Sequence, residues 1–89
     1  MAREIDPYAV IINPYVTEKT MDLMEQQNKL EFVVARTANK KDIKLAVQEL
    51  FEIKIDQVRT FIAKDGKHAI VKLNKDYSAE DVGMRIGVF

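Results

Sequence analysis

Cysteine is absent from the 89-residue sequence, which excludes disulfides, thiolate chemistry and cysteine-based zinc sites. That absence is compatible with a reducing cytoplasm. Three glycines and two prolines leave little room for linkers, and there is no repeat or low-complexity tract. No apolar run approaches the roughly 18–20 residues that a membrane span needs. The start, Met1-Ala2-Arg3-Glu4-Ile5-Asp6, is too polar for a signal peptide. A cytoplasmic protein without membrane insertion is therefore expected. Gly66, Gly83 and Gly87 fit neither the dinucleotide fingerprint nor a P-loop. The single histidine, His68, and the single serine, Ser78, assemble no nucleophile–base set. Paired acids such as Glu80 and Asp81 have no base near them in sequence, and a chain this small rarely builds the deep cleft a catalytic carboxylate pair needs. A lone histidine beside a turn is expected to face solvent rather than hold a metal. No catalytic residue, metal, cofactor or small-molecule substrate is expected.

What is present is the composition of a folded domain, 47% hydrophobic and 31% charged. The length suits one domain over residues 1–89, with a core that buries roughly 60–65% of the unfolded surface. Formal net charge is zero, which by itself argues against a strongly basic nucleic-acid binder. The distribution is uneven, however. Residues 1–35 carry three basic and six acidic groups, residues 36–75 ten basic and five acidic, and residues 76–89 one basic and three acidic. A basic middle between acidic ends fits a two-faced protein with one face turned to an anionic partner. Ordinary surface charge scattered by the fold fits equally well.

Asn13-Pro14-Tyr15-Val16-Thr17-Glu18-Lys19 reads as a strand exit, a turn set by Pro14 and a helix start. Thr17 is placed as N-cap, its hydroxyl accepting from the N–H of Lys19 or Thr20, with Val16 and Met21 spaced as a hydrophobic staple. The apolar run Tyr8-Ala9-Val10-Ile11-Ile12 before it suits an edge strand. A helix follows over 17–27, with Met21 and Met24 inward and Asn28 as its stop. Residues 30–35 are apolar on both faces, which predicts a central strand. Ile43, Ala46, Val47, Leu50 and Phe51 form the stripe of an amphipathic helix over 39–52, capped by Asn39 with Asp42 three residues on. Strands are predicted over 55–63 and 68–74, around Lys64-Asp65-Gly66-Lys67, where Asp-Gly signals a hairpin. Ser78 and Asp81 form a second capping box, opening a short helix that ends near Ile86, with Gly87 after it. The order predicts an α+β fold: a four-stranded antiparallel sheet with a split β-α-β arrangement and helices packed on the sheet.

Arg36, Lys40, Lys41 and Lys44 precede or open the second long helix, whose N–H groups and dipole also favour phosphate. Arg59, Lys64, Lys67, Lys72 and Lys75 decorate the hairpin. Aromatics are sparse, at 8%, so RNA binding here would rest on phosphates and shape rather than base stacking. A solvated polar face remains an equal reading of the same lysines. A small homo-oligomeric α+β regulatory or interaction module without RNA binding is the alternative class.

Several blocks in order resemble one known family. The segment 13–19 is similar to the opening motif of the ribosomal large-subunit protein twenty-three family. Residues 39–51 with Val58-Arg59-Thr60 resemble its central helix and following strand, and Lys67-His68-Ala69-Ile70-Val71-Lys72-Leu73 its last strand. Arg85-Ile86-Gly87-Val88-Phe89 resembles the archaeal branch. The resemblance covers about residues 8–89 and implies a structural protein of the ribosome, in the cytoplasm, lying beside the polypeptide exit tunnel. It implies large-subunit rRNA and neighbouring ribosomal proteins as partners. At the tunnel exit it implies a docking platform for the signal recognition particle and, in bacteria, trigger factor. It implies RNA contacts from Thr17, Lys19, Arg36, Asn39, Lys40, Lys41, Lys44, Arg59, Lys64, Lys67 and His68, and factor docking at Glu18 and Asp22. The long basic hairpin of bacterial relatives is reduced here to residues 64–67, and the basic N-terminal extension of eukaryotic relatives is absent. His68 stands where the last-strand signature usually has a second Lys or Arg.

Overall fold

The computed structural model describes residues 6–87. The polar start at 1–5, and Val88 and Phe89 of the last matched block, lie outside the described residues. Asp6 caps a single helical turn, α1 (Pro7–Val10), by accepting the N–H of Tyr8 at 3.0 Å. Pro7 opens that turn, where its missing N–H costs nothing. This corrects the expected strand over 8–12: only Ile11 and Ile12 belong to β1 (Ile11–Pro14). The Asp-Pro pair organises the backbone before the apolar run can extend.

The remaining elements are α2 (Glu18–Gln27), β2 (Lys29–Val34), α3 (Lys40–Phe51), β3 (Ile55–Ala63), β4 (Gly66–Leu73) and α4 (Ala79–Ile86). The strands form one sheet in the order β1-β2-β4-β3, every neighbouring pair antiparallel. β2 is central, as its two-sided apolarity predicts, and β1 is an edge strand that tolerates Pro14. β3 and β4 meet in a tight hairpin whose ladder closes on Ala63 and Gly66. The loop is therefore Lys64 and Asp65, and the positive φ of 132° belongs to Gly66 after it, as glycine permits.

The sheet has two unlike faces. Leu30, Phe32 and Val34 of β2, with Ala69, Val71 and Leu73 of β4, are buried on the first. There they meet Ile43, Ala46 and Val47 of α3 and Ala79 and Val82 of α4 in one core. The Phe32 and Phe51 rings stack at 5.7 Å. Burying this stripe is what holds α3 in place, since propensity alone leaves a twelve-residue helix marginal. α2 packs on β2 and touches α4, lying where β1 has already ended at the Pro14–Phe32 pair. Residues of alternate parity, Glu31, His68, Ile70, Lys72, Arg59 and Phe61, belong to the second face.

Helix ends are closed by side chains. Asn39 and Asp42 form the expected reciprocal box, at 2.8 and 3.3 Å. Ser78 accepts from the Asp81 N–H at 3.3 Å, but the reciprocal half of that expected box does not form. Asn28 stops α2 in the left-handed conformation, φ 56°. Its amide also donates to the Tyr77 carbonyl at 2.8 Å and accepts from the Ala79 N–H at 2.7 Å. One residue thus ends α2 and ties down the start of α4. Among the described residues, no helix is long and apolar enough to cross a membrane.

Candidate nucleic-acid interface

Thr17 caps α2 and accepts from the Thr20 N–H at 3.3 Å. Thr20 completes the box: its hydroxyl oxygen accepts from the Thr17 N–H at 2.7 Å and donates to the Thr17 carbonyl at 3.0 Å. Val16 remains 44% exposed, so the helix entry is held by these three hydrogen bonds and by Tyr15, whose N–H donates to the Glu31 carbonyl at 3.0 Å. Glu18, Lys19 and Asp22 are exposed in the first turns. Glu18 and Lys19 border a shallow hollow with Tyr15 and Phe61.

His68 is only 2% exposed, which corrects the expected solvent-facing histidine. Its Nδ1 lies 2.7 Å from Glu31 Oε2 and its Nε2 lies 2.7 Å from Asp65 Oδ1. The Tyr15 ring meets it edge-on at 4.6 Å and the Phe61 ring stacks on it at 5.3 Å. Burial disfavours the charged imidazole, but hydrogen bonds to Glu31 and then Asp65 outweigh it, and the pKa is raised above the ordinary 6.5. The bond from His68 in turn holds the Asp65 carboxyl below the ordinary 3.8. With both ring nitrogens engaged, His68 has none left to meet a phosphate.

Arg36, Lys40, Lys41, Lys44 and Lys64 are all exposed. Val34 pairs with Lys67, so Arg36 leaves the sheet at the same end as the Lys64–Asp65 loop. Lys67 donates from Nζ to the Ala38 carbonyl at 2.6 Å and ties the hairpin base to the segment entering α3. Those cations therefore share one end of the molecule, with the N-terminus of α3 among them. Asn39 uses its amide oxygen to cap that helix. Arg59 stands apart, opposite Ile70 on the second sheet face. Thr17 and Lys19 are at a third place, beside Glu18.

Arg59 has other company. Lys29 and Lys72 are cross-strand partners of β2 and β4, and Gln57 of β3 pairs with Lys72 in the same row. With Arg59, Ile70 and Gln27 they line a trough of about 730 Å³. Lys72 is one of the basic residues read along the hairpin, Lys29 is not, and neither is among the RNA contacts that the resemblance implies. Strand alternation sets Lys72 opposite the buried Val71 and Leu73, but only the register brings Lys29 beside it.

Residues 9–74 match the family model described as Ribosomal protein L23. A protein named large ribosomal subunit protein uL23 from Methanothermobacter thermautotrophicus is 50% identical over 86 residues, covering 96% of this chain and 100% of that protein. The protein of the same name from Picrophilus torridus is 53% identical over 79 residues, covering 89% of this chain and 96% of its own. That from Thermoplasma acidophilum is 50% identical over 80 residues, covering 90% and 95%.

Proposed function

The chain belongs to the ribosomal protein L23 family, and from that premise we propose that it is a structural constituent of the large ribosomal subunit. It acts there as a single domain without catalysis, in the cytoplasm, bound to large-subunit rRNA and neighbouring ribosomal proteins beside the exit tunnel. The observation that carries this reading is the match at 50% identity across the whole length of a protein named for that subunit. The charge layout supports the RNA part. Arg36, Lys40, Lys41, Lys44 and Lys64 project from one end, where the α3 N-terminus adds oriented N–H groups. Asn39 and Lys67 contribute there chiefly by shaping that end, through the helix cap and the bond to Ala38. His68 contributes by fixing the hairpin turn through Asp65. Thr17 and Lys19 offer a hydroxyl and an ammonium at the start of α2, and Arg59 acts from the second sheet face.

The acidic first turns of α2 take the other role. Glu18 and Asp22 are exposed on a helix whose start is locked by the Thr17–Thr20 box. This rigid acidic surface is the docking point for the signal recognition particle at the tunnel exit. Filter binding of the purified protein to a large-subunit rRNA fragment tests the RNA part. Affinity should fall with salt, each neutralised phosphate contributing roughly −0.9 to the log–log slope on duplex and −0.7 on single strands. Salt-independent affinity, or no binding at low salt, contradicts it.

A further inference from the structure

Lys29 and Lys72 face each other directly across β2 and β4, an arrangement of like charges that destabilises a sheet. Among the described residues, the side chains of Lys29, Lys72 and Arg59 make no hydrogen bond or ion pair. No carboxylate lines the trough they border. The acid in the adjoining row, Glu31, pairs with Ile70 in the ladder, but it is 9% exposed and its carboxylate is engaged by His68. Three cations thus border one concave surface that holds no carboxylate, and the acids that line the adjoining hollow with Lys29 and Lys72, Glu25 and Glu80, make no ion pair to them. Such a surface calls for an anion from outside.

Resting on the reading of the chain as an rRNA-binding protein, we propose that this trough seats a phosphodiester strand of RNA. It would be a second contact, separate from the cluster at the start of α3. Its chemistry fits a backbone better than bases. Gln27 and Gln57 add neutral amides able to bond 2′-hydroxyls, Leu23, Val58 and Ile70 supply an aliphatic lining, and no aromatic ring lines it to stack a base. The Lys29–Lys72 pair and the Val34–Lys67 pair mark opposite ends of the same β2–β4 ladder, about 17 Å apart at strand rise. The protein would therefore hold RNA at two places across its sheet.

The test is filter binding of the full chain to a large-subunit rRNA fragment over a salt series, with melting followed in parallel. Lys29→Gln with Lys72→Gln should shallow the log–log slope by about 1.4 to 1.8, the loss of two phosphate contacts. The same pair should melt no lower than the unaltered protein, because a like-charge contact has been relieved. Lys29→Arg with Lys72→Arg should keep both the slope and the affinity, separating charge from any structural role of the lysines. If the glutamine pair binds with unchanged slope while Lys40→Gln with Lys41→Gln loses affinity, the trough proposal is overturned and the RNA reading stands. If the glutamine pair instead loses only the binding of polyglutamate, the trough serves an acidic protein segment and the proposal is again overturned. Absence of binding by the unaltered protein at low salt overturns the RNA reading, and the trough with it.

Discussion

Nδ1 of His68 on β4 lies 2.7 Å from Oε2 of Glu31 on β2, a buried hydrogen-bonded contact across the two central strands. Asp65 of the hairpin loop holds the opposite ring nitrogen at the same distance, and the Tyr15 and Phe61 rings close over the imidazole. The cluster binds four parts of the chain together: the exit of β1, the centre of β2, the end of β3 and the hairpin. Because Tyr15 lies two residues before the Thr17 cap, the cluster also fixes where α2 begins.

Stability should follow the titration of this cluster. The raised pKa of His68 means that its contribution is complete below the unfolded value of 6.5 and is lost as pH rises through the higher folded value. The lowered pKa of Asp65 has the opposite sense: its contribution is present above 3.8 and is lost as pH falls through the lower folded value. Melting temperature measured from about pH 5 to about pH 9 should decline across the histidine window. His68→Gln should flatten that decline, and an unchanged slope in the variant contradicts the assignment.

Glu31→Ala removes one carboxylate from a nearly buried imidazole. Since a hydrogen bond to a charged group contributes about 1.5–3 kcal/mol, urea unfolding should show a loss of that size. A loss well below about 1 kcal/mol would mean that the Asp65 bond suffices by itself.

The two non-glycine residues with positive φ, Asn28 at 56° and Glu52 at 54°, should respond in opposite ways. Asn28→Ala strains a left-handed position and breaks the bonds to Tyr77 and Ala79, costing roughly 2–3 kcal/mol. Glu52 is exposed at the end of α3. There Glu52→Gly relieves backbone strain and should stabilise by about 0.5–1 kcal/mol, after the entropy that glycine adds to the unfolded chain. Thermal unfolding of both variants checks the pair.

Glu18→Ala should leave folding and subunit assembly unchanged, because the side chain is exposed and the Thr17–Thr20 box does not involve it. Binding of the signal recognition particle to assembled ribosomes should weaken about threefold to tenfold, the equivalent of roughly 1 kcal/mol for one surface charge. If assembly fails instead, Glu18 has a structural role.

Local signals carried most of the architecture. The helical stripe of Ile43 and Val47, the caps at Thr17, Asn39 and Ser78, and the two-sided apolarity of β2 are short-range patterns, and each led to its element. The turn at Pro7–Val10 is too short to show a period. Asn28 was legible as a helix stop but not as an anchor for α4, since its partners lie far along the chain. His68 looked like a turn residue because the rings that bury it come from Tyr15 and Phe61, which only the folded sheet brings close. The basic residues opening α3 were visible as a run. The Lys29–Lys72 pair needed the strand register, which no local pattern specifies.

Residence in the large ribosomal subunit can be read from sedimentation. A tagged copy expressed in archaeal cells should travel through a sucrose gradient with the large subunit, and nuclease digestion of the RNA should release it. A protein that stays at the top of the gradient in intact lysate, at low salt, is not a constituent of that subunit.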